Sequence, residues 1–282
     1  MYQNKTQSQV DKMLELVNQT KALNVSKRYK VINTGQVINK LESSGFKVTD
    51  FKINGVRHNS KKQGYQAHKV ILEHQELSAL LGQDHRLQLL VYNSYDKSAP
   101  LTLQLGVYRF ACDNGLVVGS TYGCFKMKHL GDISSQLDTF IHELPQKVSE
   151  LQHQIKLFKG VQIDTYIQRR FIESILNKTI LKNNKSIIVD RSFYRQFETI
   201  KRSQDLGKSL YLLLNRVQEH ILTGGVPCQV IRFNGNGQPT KVIKTKTRPI
   251  ANILTNKSIN ELIWNEAASI VNDYNQYLKK AV

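Results

Sequence analysis

The chain has 282 residues, 40% of them hydrophobic, which suffices for one large domain or two ordinary ones because single cores stop growing near about 250–300 residues. Forty Lys and Arg against 22 Asp and Glu leave a net charge of +18, an excess that favours a polyanionic partner, nucleic acid above all, over neutral substrates. Three cysteines with no C-x-x-C pair argue against a disulfide framework or a cysteine zinc site, and no run approaches the roughly 18 apolar residues of a membrane span.

The expected setting is therefore a reducing cytoplasm, with no membrane association and no secretory leader, since MYQNKTQSQVDKMLELVNQTKAL lacks an apolar h-region. Charge is unevenly spread. Residues 151–250 carry 18 basic and 6 acidic side chains, two thirds of the net excess, whereas 101–150 carry 4 and 5. The basic stretch reads as an electrostatic footprint and the near-neutral middle as packing.

In chain order, residues 1–45 form an N-terminal helical segment whose first 30 residues read as a helix with a loosely held start. Residues 46–160 change to short β segments, FKVTDFKI, AHKVILEH, RLQLLVYN, LTLQLGVYRFAC, LVVGS and CFKMKHL, followed by a helix. Turn chemistry separates the strands at Asn54-Gly55, Gly82, residues 97–100, Asn114-Gly115 and Gly123. Connections this short cannot hold crossover helices, so an antiparallel meander is expected. Asp113-Asn114-Gly115 has the chemistry of a type I′ hairpin.

Leu101, Leu103, Leu105 and Val107 share one strand face, and the same parity delivers Arg109 to it. Either Arg109 finds an acidic, carbonyl or phosphate partner there, or a bulge at Gly106 turns the strand over. Leu137, Ile141, Leu144, Val148, Leu151, Ile155 and Phe158 then follow at alternating spacings of four and three, the stripe of a long amphipathic helix ending at Gly160. Pro145 inside it predicts a kink or two abutting helices. The stripe either packs on the chain's own sheet or forms a coiled coil between subunits.

Residues 161–282 read as a basic, mainly helical region, with helices near 163–181, 206–222 and 257–279. The linker RFNGNGQPTKVIKTKTRPI between the last two is rich in Gly and basic residues. The fold class is thus α+β, an antiparallel meander followed by a long helix and a mainly helical C-terminal half.

Three constellations could carry chemistry. In DRSFYRQFETIKR, residues 190–202, Arg191, Arg195, Lys201 and Arg202 offer phosphate contacts, and Phe193, Tyr194 and Phe197 offer stacking faces, a combination suited to single strands. The alternative is a helix with an aromatic core face and a solvated basic face. The second is a mobile basic loop, Arg232 to Arg248, with Lys241, Lys244 and Lys246, suited to backbone contact without sequence readout. It lacks the G-x-x-x-x-G-K-[ST] pattern of a nucleotide-binding loop. Arg169 and Arg170 add to the same footprint. The third is Arg109, Cys112, Asn114 and Gly115 with Lys128-His129, which either holds a thiol–imidazole pair or contributes an ordinary buried cysteine and polar histidine. No cofactor and no metal site are expected, since neither H-E-x-x-H nor a comparable ligand cluster is present.

This third segment resembles the signature of a phage- and plasmid-associated family, domain of unknown function 932, in which Arg-x-x-Cys-x-Asn-(Gly or Thr)-Leu precedes a basic residue and His. Those positions are Arg109, Cys112, Asn114, Gly115, Leu116, Lys128 and His129. Trp264-Asn265-Glu266-Ala267 is a weaker likeness, with a spacing that departs from the usual form. The resemblance spans about residues 85–275 and implies a mobile element in a bacterial host, with replication, recombination or host conflict as context. The order of sheet then long helix is also similar to the core of Rad52-like annealing proteins.

The expectation is a cytoplasmic protein that binds single-stranded DNA, to anneal or protect it, as a possible homo-oligomer. Lys and Arg of 169–248 would hold phosphates, and the 101–129 hairpin would frame the groove. The alternatives are a nucleic-acid-processing enzyme using Arg109, His129 and a carboxylate, and a regulator whose basic face meets an acidic protein partner.

Overall fold

The strands expected between residues 46 and 129 form one antiparallel sheet in the computed structural model, which describes residues 5–57, 60–109, 116–117, 124–127, 133–182 and 186–280. The strands are β1 (Lys47–Ile53), β2 (His68–Glu73), β3 (His85–Asn93), β4 (Leu101–Arg109), β5 (Leu116–Val117) and β6 (Cys124–Met127). They pair in sequence order as far as β4, whose outer edge takes β5 at Gly106 and Val107 and β6 from Leu101 to Gln104. The fold is α+β. It divides into two compact units, Met1–Gln152 with Asn252–Lys257, and His153–Ala251 with Ser258–Val282.

In the first unit, α1 (Gln7–Val17) starts in a capping box, with Thr6 Oγ1 accepting from Gln9 N and Thr6 N donating to Gln9 Oε1. Asn33 caps α2 (Thr34–Ser43) and His74 caps the short α3 (Gln75–Ala79). Strand parity places Phe51, Val70, Leu72, Leu89, Val91, Leu103, Leu105 and Val107 on one sheet face, all nearly fully buried. On that face Phe125 meets Phe140 of α4 (Ser134–Gly160), with ring centroids 5.3 Å apart.

The registers of β3 with β4 run unbroken from His85↔Arg109 to Tyr92↔Thr102. No bulge therefore interrupts β4 at Gly106, and Arg109 keeps the parity of Leu105 and Val107. Asn54-Gly55 is not a tight hairpin, because 14 residues separate β1 from β2. Instead Asn54 Oδ1 accepts from Ile253 N at 2.8 Å, tying down the start of α8 (Ile253–Lys280). Leu254 there packs on Ile71, Leu90 and Tyr92 of the other sheet face.

A single helix, α4, passes through Pro145, so the two-helix alternative falls. Leu137, Leu144, Val148, Leu151, Ile155 and Phe158 are all within 5% exposure. Phe140 joins them, while Ile141 is half-buried. Burial within one chain makes this stripe internal packing rather than a seam between subunits.

The second unit holds α5 (Thr165–Lys178), α6 (Arg191–Gln196) and α7 (Leu210–Thr223), with β7 (Ile187–Ile188), β8 (Pro227–Phe233) and β9 (Pro239–Lys246). Leu210, Leu213, Leu214, Val217 and Ile221 form the expected apolar face of α7. Asn215, Arg216, Gln218, Glu219 and His220 are buried as well, so α7 is the core helix of this unit.

The region expected to be mainly helical contains an antiparallel sheet of order β7-β8-β9. The mobile loop expected from Arg232 to Arg248 is instead the end of β8, a turn and β9 of the β8–β9 hairpin. Its Gly and Lys content suggests a loop, but CQVIRF and TKVIKTK carry the β-branched residues that strands favour. Asn234 to Gly237 supply the turn, with Gly237 at φ +75°.

Candidate nucleic-acid interface

Asp190 starts α6 by accepting from Phe193 N at 2.8 Å and Ser192 Oγ at 2.7 Å. One turn of helix then separates the aromatic and basic side chains. Phe193 and Phe197 turn inward, 3% and 0% exposed, with centroids 5.4 Å apart, and Phe197 also meets the His220 ring. These two rings are core and cannot stack bases as the residue pattern suggests, a correction to the proposed platform. Tyr194 is half-buried beside Arg169 and Glu173, and burial pushes its phenol pKa up.

The basic residues of this segment divide. Arg191 and Arg195 are exposed. Lys201 is exposed but donates to Thr223 Oγ1 at 3.2 Å, and Arg202 is held by Glu219, its Nη2 3.1 Å from Oε1. His220 Nε2 lies 2.9 Å from Thr199 O, and burial pushes the imidazole pKa down. Arg202, Thr199 and Lys201 thus fasten the chain after α6 onto α7. Arg202 is an anchor here rather than a free phosphate ligand.

Arg169 and Arg170 lie on the outer side of α5, paired with Glu173 at 2.6 Å and Asp273 at 3.4 Å. Such exposed pairs contribute little to stability. Tyr166, 73% exposed, stands one helical turn before Arg170. α6 packs against both α5 and β8.

The β8–β9 hairpin presents the strongest cationic surface. Between His220 and Ala251 the chain has no acidic residue, and Arg232, Lys241, Lys244, Lys246 and Arg248 are all exposed. Register places Gln229, Ile231, Val242, Lys244 and Lys246 on one face, and Cys228, Val230, Arg232, Lys241, Ile243 and Thr245 on the other. Cys228 is buried at the base, while Phe233 and Val242 are 49% and 53% exposed. Ammonium and guanidinium groups are therefore interspersed with apolar side chains on a folded ribbon.

The hairpin base is clamped. Gly225 N donates to Thr247 O at 2.8 Å, Thr247 N to Val226 O at 2.9 Å and Ile250 N to Leu222 O at 2.9 Å. Gly224 makes this possible at φ +64°, because a Cβ there would stand 2.6 Å from Arg248 C and Pro249 N.

Of the motif positions, β4 carries Arg109 and β5 carries Leu116, whereas Cys112, Asn114, Gly115, Lys128 and His129 lie outside the described residues. The expected type I′ turn and the thiol–imidazole pair lie there too. Trp264 and Ala267 of the second likeness are fully buried, with Trp264 packed on Phe158 at 4.9 Å. Among the described residues no group of His, Cys, Asp or Glu is arranged to hold a metal, and no helix is long and apolar enough to cross a membrane.

The first unit holds a polar cluster that sequence reasoning missed. Thr34 Oγ1 lies 2.9 Å from His68 Nε2 and from Tyr95 OH, and accepts from Asn93 Nδ2 at 3.0 Å. All four residues are fully buried, and burial pushes the His68 imidazole down to about 4. On the opposite sheet face, the Lys69 and Lys257 ammonium groups stand 6.0 and 5.6 Å from the Tyr92 ring centroid.

The family model described as Domain of unknown function (DUF932) matches residues 23–264. Two curated relatives from Escherichia coli (strain K12), UPF0380 protein YfjQ and UPF0380 protein YafZ, are each 21% identical over 246 residues, 87% of this chain and 84% of theirs. No solved structure matches.

Proposed function

The chain belongs to the family described as Domain of unknown function (DUF932), whose description assigns no activity, and from the geometry of its second unit we propose that it is a nucleic-acid-binding protein. The observation that carries this reading is the acid-free stretch from His220 to Ala251, folded into a ribbon with five exposed basic side chains. A polyanion loses condensed counterions to such a surface, and this release drives binding without regard to sequence. Arg191 and Arg195 on α6 and the weakly paired Arg169 and Arg170 on α5 extend the footprint.

The biological context in this reading is replication or recombination of a phage or plasmid inside a bacterial cell, on the resemblance of the Arg109 to His129 segment. Single-stranded DNA annealing is one form of it. With Phe193 and Phe197 in the core, single-strand stacking would fall to Tyr194, Tyr166 and Phe233.

Fluorescence anisotropy with labelled oligonucleotides across a salt series tests the proposal. Replacing Lys241, Lys244, Lys246 and Arg248 with Gln should weaken binding to all sequences alike. It should also flatten log affinity against log salt by about 0.7–0.9 per lost phosphate contact. Absence of saturable binding to any nucleic acid near physiological salt would overturn it, and tight capture of an acidic polypeptide instead would make the basic face a protein-docking surface.

A further inference from the structure

The ribbon has a shape as well as a charge. β7 flanks β8 at Ile188↔Gln229 and Ile187↔Val230, and Ile231 N donates to Ser186 O at 2.8 Å, so beyond the Ile231–Val242 pair the hairpin is two strands wide among the described residues. There Arg232 and Lys241 are exposed on one face, and Phe233 and Val242 are exposed away from them. This outer part of the ribbon, bare on both faces, is not covering a core.

Its end is also ordered. Asn234 Oδ1 accepts from Asn236 N at 3.0 Å and Gln238 N at 2.9 Å, Asn234 N donates to Gln238 O at 2.9 Å, and Thr240 Oγ1 donates to Arg232 O at 3.0 Å. A register shift between Arg232 and Phe233 marks a bulge, which strengthens twist. Phe233 then stands opposite Pro239 at the ribbon's end. The tip is thus held in shape before any partner arrives.

We propose, resting on the nucleic-acid reading above, that this ribbon enters the major groove of B-form duplex DNA. Two strands about 4.8 Å apart, with their side chains, match a groove about 12 Å wide and 8.5 Å deep, which admits a two-stranded ribbon. The major groove of A-form RNA is too deep and narrow for side chains to read. Arg232 and Lys241 lie side by side on one face, where they meet phosphates or guanine edges of one groove wall. Phe233 and Val242 give an apolar surface for thymine methyl groups. Lys244 and Lys246, nearer the base, reach the flanking backbone.

The test compares a short DNA duplex, its single strand and an RNA duplex of the same sequence as probes for the full chain. A shortened ribbon, with residues 232–241 replaced by Asn-Gly, serves as one variant, and Arg232→Gln with Lys241→Gln and Phe233→Ser as a second that keeps the length. Thermal melting checks that both remain folded. The parent should bind the DNA duplex at least about tenfold tighter than either other probe, and methylation of guanine N7 in the major groove should weaken it. Both variants should lose this preference while keeping weak, salt-sensitive binding through the remaining basic residues. Equal or tighter binding to the single strand, or variants that match the parent on duplex DNA, would overturn groove entry and leave the nucleic-acid reading standing. Failure to bind all three probes would remove both.

Discussion

Thr34 Oγ1 and His68 Nε2 stand 2.9 Å apart with neither residue exposed, joining the first turn of α2 to the first residue of β2. The bonding pattern sets the tautomer. His68 Nδ1 lies 3.3 Å from Gln66 O and so carries the proton, leaving Nε2 to accept from the threonine hydroxyl. A protonated ring would face Thr34 with a donor in place of an acceptor.

This pair makes stability depend on pH. Burial lowers the His68 pKa to about 4 from 6.5. The unfolded chain therefore takes up the proton first as pH falls. The contribution of neutral His68 is complete above pH 6.5 and is lost progressively as pH drops to about 4, by roughly 3 kcal/mol in all. Denaturant melts across this range should show that slope, and His68→Gln should remove its share of it. A variant slope equal to the parent's would show that His68 does not titrate on unfolding.

The α4 stripe gives a concentration test. Leu144 and Leu151 are 1% and 0% exposed within one chain. Leu144→Asp or Leu151→Asp should unfold the protein at every concentration, since a buried carboxylate without a partner outweighs the whole stability of a typical domain. Folded monomers recovered from an oligomer would instead reassign the stripe to a subunit contact.

Gly224 links α7 to the ribbon in a conformation that only glycine adopts easily, φ +64° and ψ −151°. Gly224→Ala adds strain of about 1–3 kcal/mol, and its Cβ has backbone rather than a movable side chain against it. Chemical denaturation should show at least that loss. Gly225→Ala, with a positive φ but open space around it, should cost less.

The sheet was legible in the residues because short apolar and β-branched runs are bounded by turn chemistry, and in β4 Leu101, Leu103, Leu105 and Val107 recur with period two. The α4 stripe was legible for the same reason at helical period. The ribbon from Pro227 to Lys246 was not, because strands exposed on both faces have no apolar alternation to advertise them. In α7 the opposite problem arises, since Arg216, Glu219 and His220 look like a solvated face and are buried by partners distant in sequence. The Thr34, His68, Asn93 and Tyr95 cluster assembles from four separate segments, and no local spacing records it. At 190–202 local pattern left two readings open, and burial of Phe193 and Phe197 decided for the helix core.

Arg195 and Arg202 should separate the proposed binding from stability within that one segment. Arg202 is pinned between Nε and Nη2 contacts to Glu219 Oε1 at 3.2 and 3.1 Å, and Glu219 is nearly buried. Arg202→Ala leaves that carboxylate without its cation, so it should lower stability by about 1–3 kcal/mol. Arg195 is exposed, and Arg195→Gln should shift stability by no more than about 0.5 kcal/mol. Binding should reverse the order. Arg195→Gln removes a cation free to meet phosphate and should flatten the salt dependence by up to about 0.9 on duplex DNA, whereas Arg202→Ala, measured below its melting range, should leave the slope unchanged. A normal slope for Arg195→Gln would take α6 out of the interface and confine it to the ribbon.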